Sequence, residues 1–109
     1  MKLVKAIIRE ERLPFVKKAL EAREIFGMTI SQVLGRGEQR GIHLQYRKGI
    51  LNIDLLPKVS IEIVVKNEME DLVVTEIMHS ARTGKPGDGK IFILPVSQAH
   101  RIRTGEVEA

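Results

Sequence analysis

The 109-residue chain has no cysteine and no tryptophan, and only one tyrosine and three phenylalanines. Without cysteine, disulfides, thiolate zinc sites and cysteine nucleophiles are excluded. So few rings leave little for nucleic-acid bases to stack on. No apolar run approaches the roughly 20 residues needed to span a bilayer. Residues 1–9 are basic and briefly apolar, but charges follow at once in Arg9, Glu10, Glu11 and Arg12, unlike a signal peptide. A soluble, cytoplasmic protein is expected. His43, His79 and His100 lack metal-ligand spacing. Ser31, Ser60, Ser80 and Ser97 lack a glycine-flanked nucleophile turn, and no acid/base pair assembles. The pattern supports no enzyme.

What is present suffices for one domain with a core, since 43% of the residues are hydrophobic. The net charge of +4 suits a polyanion, yet the basic residues are scattered, as on any solvated surface.

Residues 2–9 form a short apolar run of strand length. Over 11–25, Leu13, Val16, Ala19, Leu20 and Ala22 recur at helical spacing, with Pro14 in the first turn and Gly27 as the stop. Residues 28–34 read as a second strand. About 36–56 follows a long loop holding Gly37, Gly41 and Gly49 among Arg36, Arg40, Arg47 and Lys48; loops of this length in compact domains are usually functional or disordered. Val59, Ile61, Ile63 and Val65 alternate as in a strand. Met69, Leu72, Val73, Ile77 and Ala81 predict a helix over 68–82, with Asn67 as N-cap. A glycine-rich turn at 83–90, a strand at 91–96 and a polar, fraying tail at 97–109 complete the chain. The order βαββαβ predicts an α+β, ferredoxin-like domain: an antiparallel sheet with both helices on one face. The other face, rich in Ile and Val, is expected to be covered by oligomerisation.

The turn Thr83-Gly-Lys-Pro-Gly-Asp-Gly-Lys90 carries the strongest local chemistry. Gly87 and Gly89 permit an anion nest, and Lys85 and Lys90 add charge. It is not a Walker A sequence, and a tight helix-to-strand turn explains it equally well. Arg101 and Arg103 suit phosphate, or are simply solvated.

Six stretches together resemble the P-II nitrogen-regulatory signal proteins over nearly the whole chain. They are Ala6-Ile-Ile-Arg9, Gly27-Met-Thr29, Gly35-x-Gly37-x-Gln39-x-Gly41, Leu56-Pro-Lys-Val59, Thr83-Gly-Lys-x-Gly-Asp-Gly-Lys-Ile-Phe92 and Arg101-Ile-Arg-Thr-Gly-Glu106. The resemblance implies a homotrimer with nucleotide sites between subunits, where ATP and ADP compete and Mg2+ and 2-oxoglutarate join ATP. It implies a nitrogen and energy signal passed through the long loop to an ammonium transporter, glutamine synthetase or nitrogenase. A membrane would be reached only through a transporter, and no nucleic acid is involved.

Carried over, Thr29, Gly35, Gly37 and Val64 line the adenosine side. Gly87, Asp88, Gly89 and Lys90 hold phosphates, with Arg101 and Arg103 completing the cradle. Gln39 supplies an oxygen to Mg2+ and also borders 2-oxoglutarate, whose carboxylate pairs with Lys58. Glu38, also by the nucleotide, stands where many members carry a basic residue. Gly49 and Leu51 occupy positions modified in other members, so neither modification is expected. Residues 35–42 resemble the nitrogenase-regulating branch and the loop length resembles the other regulators, so the branch stays open. The scaffold alone would equally serve a trimeric amino-acid- or metal-binding module without nucleotide sensing, and the basic charge a nucleic-acid module.

Overall fold

The computed structural model describes residues 1–36, 45–46, 49–50 and 55–109. Its strands are β1 (Lys2–Arg9), β2 (Thr29–Gly35), β3 (Gln45–Tyr46), β4 (Gly49–Ile50), β5 (Leu56–Val65), β6 (Gly89–Pro95), β7 (Ala99–His100) and β8 (Val107–Glu108). The helices are α1 (Leu13–Glu21) and α2 (Glu70–Ala81), each entered through a 3-10 turn, Glu10–Arg12 and Asn67–Met69. The main sheet is antiparallel throughout, in the order β2-β5-β1-β6, which is the ferredoxin-like arrangement.

Register sorts the two faces. Val4 opposes Ile63, Ala6 opposes Ile61 and Ile8 opposes Val59, and all six are buried against Val16 and Leu20 of α1 and Val73 and Ile77 of α2. Burying each such Val, Leu or Ile contributes roughly 1.5–3 kcal/mol. The opposite face carries Leu3, Ile7, Val33, Val64, Phe92 and Leu94. Val64, Phe92 and Leu94 are each more than 40% exposed. Ser60 lies there too, paired in register with Ile7; its Oγ is buried and without a hydrogen-bond partner among the described residues.

Several boundaries differ from the sequence expectation. Helix α1 stops at Glu21, four residues early, because a Schellman turn ends it before Gly27 is reached. Glu24 takes the left-handed conformation at φ 60°, Ile25 N donates to Leu20 O at 3.0 Å and Glu24 N to Glu21 O at 2.9 Å. Asn67 is not the N-cap of α2. It opens the 3-10 turn, Met69 precedes the helix, and Glu70 and Asp71 meet the helix dipole instead of a capping side chain.

Strand β5 begins at Leu56, so Leu56, Pro57 and Lys58 belong to the sheet. Pro57 is tolerated because β1 ends opposite Lys58, leaving β5 only the β2 neighbour there. Likewise Gly89 and Lys90 are the first residues of β6 rather than loop. The tail does not fray: Ala99 and His100 pair with Glu108 and Val107 in a hairpin. Inside the long connection, Gln45 pairs with Ile50 and Tyr46 with Gly49.

Candidate functional site

The chemistry-bearing residues gather where β1 ends, β5 begins and the 83–88 turn crosses between α2 and β6. Arg9 terminates β1 opposite Lys58. Its guanidinium donates from Nε to Asp88 Oδ1 at 3.0 Å and from Nη2 to the Pro86 carbonyl at 2.5 Å. Lys58 Nζ donates to the Gly87 carbonyl, also at 2.5 Å. Gly35, opposite Leu56, makes room for this lysine: a Cβ there would lie 3.1 Å from Lys58 Cγ.

Asp88 organises the turn. Its Oδ2 accepts the Thr83 and Gly84 amides, each at 2.9 Å, and Oδ1 accepts the Thr83 hydroxyl as well as Arg9. Gly84, Gly87 and Gly89 all have positive φ, the alternating backbone hand from which anion nests are built. Both Asp88 oxygens are engaged within the chain, so what this residue gives the loop is its shape.

The hydrogen bonds from Thr83, then its amide, Arg9 and the Gly84 amide, hold Asp88 far below its ordinary value of 3.8, against an opposing effect of burial. A depressed carboxylate contributes stability that is complete above the unfolded value and lost only as pH falls through the lower folded one. Asp88 is therefore expected to stay ionised at about pH 3, where a free aspartate is mostly protonated. Carbon-13 NMR titration of the carboxyl group checks this. Asp88→Asn should speed hydrogen exchange at the Thr83 and Gly84 amides at neutral pH.

Lys58 is pushed below the ordinary lysine value, first by partial burial and then by Arg9, with Glu11 and Asp88 acting the other way. Lys90 lies in register with Ile7 on the helix-free face, exposed. The cluster thus brings three cations, Arg9, Lys58 and Lys90, around one satisfied carboxylate and a glycine turn. Such a set can bind an anion electrostatically and through backbone amides. It offers no nucleophile and no general acid/base pair.

Thr29 and Val64 lie elsewhere. Thr29 opposes Glu62 at the far end of β2, and Val64 is two residues further along β5. Val64 borders a groove of about 550 Å³ formed with Ile25, Phe26, Gly27 and Ile63. Six steps along the strand separate Thr29 from Gly35, and six separate Val64 from Lys58, about 20 Å in each case. Within one chain Gly35 lies at the other end of β2 from Thr29, against Lys58.

Arg101 and Arg103 lie in the turn of the C-terminal hairpin, where Arg101 Nε is 3.2 Å from Glu108 Oε1. Gly37, Glu38 and Gln39 fall outside the described residues, as does Leu51. A second groove of about 390 Å³ runs beside β6, lined by Ile7, Met78, Asp88, Lys90, Ile91 and Ile93. Sequence reasoning gave Arg9 no role. Besides the nearby Glu11 at 3.8 Å, its hydrogen-bond partners are 77 and 79 residues away, and no local pattern signals such a contact.

Comparison with known proteins completes the picture. The family described as nitrogen regulatory protein P-II matches residues 1–106. Nitrogen regulatory protein P-II 2 of Methanothermobacter thermautotrophicus is 57% identical over 106 residues, 97% of this chain and 92% of that protein. P-II 1 of the same organism is 53% identical with the same coverage. The P-II protein of Microchaete diplosiphon is 51% identical over 97% of this chain and 95% of its own length. Among the described residues no helix is long and apolar enough to cross a membrane.

Proposed function

This chain belongs to the nitrogen regulatory protein P-II family, whose members are signal-transduction regulators of partner proteins and not enzymes; on that premise we propose that it is a homotrimeric sensor of ATP, ADP and 2-oxoglutarate. The observation that carries this reading is the separation of the site into two ends of one chain. Gly35, Lys58 and the Gly87 turn form the anion-binding end. Thr29, Val64 and the groove beside them form the end for adenosine. The two ends lie about 20 Å apart along the sheet, and on this reading each site joins the phosphate end of one copy to the adenosine end of the next. A neighbouring copy, supplying the other end, completes each site.

The helix-free face supports the same assembly. It exposes Val64, Phe92 and Leu94, which a neighbour would cover, and beneath them holds the Ser60 hydroxyl, which has no hydrogen-bond partner among the described residues. In a cyclic trimer three equivalent clefts arise. Gly87, Gly89 and Lys90 receive the phosphates, with Arg101 and Arg103 from the hairpin closing over them. Mg2+ would take oxygens from the triphosphate, from 2-oxoglutarate and from Gln39, an oxygen shell that suits this ion. Lys58 takes a 2-oxoglutarate carboxylate with a further N–H of its ammonium.

Effector occupancy then biases the 36–56 loop between arrangements that engage or release a target, through differential affinity alone. The proposed targets are an ammonium transporter, glutamine synthetase or nitrogenase, met in the cytoplasm. With Gly49 and Leu51 in place, signalling proceeds without covalent modification at those positions.

Calorimetric titration of ATP, ADP and 2-oxoglutarate, each with and without Mg2+, tests the reading. ATP binding strengthened by 2-oxoglutarate and Mg2+ is the expected result, and no ATP binding at all would refute it. Lys58→Ala is expected to remove the 2-oxoglutarate enhancement, at a cost of about 2 kcal/mol or more, while ATP alone still binds. Equal loss of both ligands would contradict the role given to Lys58.

A further inference from the structure

We propose that Arg9 is a positioning residue that aims the backbone amides of the glycine turn at the phosphate-binding cleft. This rests on the nucleotide-sensing reading above, and it adds a residue which that reading leaves without a role. Three consecutive residues of the turn are tied down from one side. Pro86 offers its carbonyl to Arg9 Nη2, Gly87 offers its carbonyl to Lys58 Nζ, and the Asp88 carboxylate binds Arg9 Nε. In a trans peptide the N–H points opposite to the C=O of the same unit. Among the described residues no peptide bond is cis. Pinning the carbonyls of residues 86 and 87 toward the cations therefore turns the Gly87 and Asp88 N–H groups away from them, side by side. Two adjacent amides so directed, with Gly87 at φ 95°, make a nest for an anion.

Arginine is required for geometric reasons. The carboxylate oxygen and the carbonyl belong to residues two apart, and the planar fork reaches both at once from a fixed position at the end of β1. A lysine at position 9 would keep the charge but present a single ammonium point, and would satisfy one acceptor at the expense of the other. Asp88 in turn links Arg9 to Thr83 and Gly84, so the clamp ties the last strand residue of β1 to the far side of the turn. With the amides set before the ligand arrives, binding does not have to order them.

Arg9→Lys and Arg9→Gln, compared with wild type, separate positioning from bulk charge. The probes are ATP and inorganic tripolyphosphate, measured by calorimetry, with hydrogen exchange at Thr83 and Gly84, whose amides Asp88 holds, read by NMR in ligand-free protein. Both variants are expected to bind each probe about tenfold more weakly and to exchange faster at these amides. Arg9→Lys binding like wild type while Arg9→Gln is weakened would mean that Arg9 acts as a charge, and would overturn the proposal. So would wild-type affinity in both.

Should wild type bind neither probe, the nucleotide reading fails on its own. The ligand-free exchange rates then decide the role of Arg9: faster exchange in both variants upholds the clamp, and unchanged rates refute it. Should the Arg9 variants not fold, Asp88→Asn removes one end of the same clamp. Weaker tripolyphosphate binding in that variant, despite the loss of a negative charge, upholds the clamp, and wild-type or tighter binding refutes it.

Discussion

Gly89→Ala is expected to destabilise this protein severely, although it adds a single methyl group. Gly89 opens β6 in register with Ile8 and has φ +106°, where a side chain is strained in any surroundings. A Cβ built there would lie 1.7 Å from the Ile7 carbonyl oxygen and 2.8 Å from its carbon. Both are backbone atoms of the neighbouring strand, and they retreat only if β1 and β6 part. The positive φ alone costs about 1–3 kcal/mol, and the lost pairing adds to it. A total of roughly 4 kcal/mol or more follows, near the top of the range for point mutations. Gly84→Ala is the control. It has φ +85° but nothing within 4 Å of the added carbon, so only the conformational cost of about 1 kcal/mol applies. Denaturant midpoints of the two variants measure the difference, and equal midpoints would deny the close approach of β6 to β1.

The second large effect concerns assembly. Val64→Arg places a charge at the adenosine end, and Lys90→Glu reverses one at the phosphate end; each alone is expected to lower ATP affinity at least a hundredfold. Neither change touches the other's end, because the residues lie on opposite reaches of the sheet. If each cleft joins the phosphate end of one copy to the adenosine end of the next, subunit exchange between the two variants rebuilds some clefts entirely from unaltered ends. Random assortment in a cyclic trimer restores about a quarter of the clefts. Calorimetry after mixing and refolding should recover that fraction at wild-type affinity. A site built within single chains would recover nothing, and the composite-site reading would fail.

Different parts of this arrangement were legible to different degrees. Helical spacing located α1 and α2, and the alternation from Val59 to Val65 located the strand that pairs with both β1 and β2. The ferredoxin-like order followed from those elements. Element ends were less legible, for specific reasons. Glu24 adopts a conformation that composition assigns to glycine, and Pro57 sits in a strand because its neighbour ends one residue short. The tail is mostly polar, yet residues 99–100 pair with 107–108 across the six residues between them.

The site divides in the same way. The glycine turn at 83–90 stood out by its residues, and Lys58 and Gly35 by their place in family motifs. By itself the sequence determined the domain's fold class, its membership of a regulator family and the presence of an anion-friendly turn, because periodicity and turn chemistry act over a few residues. Only the tertiary structure decided that Asp88 serves the turn internally and that Arg9, 79 residues away, holds it. It also set Gly35 beside Lys58 and about 20 Å from Thr29. Those are pairings between strands. They depend on register and on which ends of the sheet meet, quantities that no local stretch of sequence encodes.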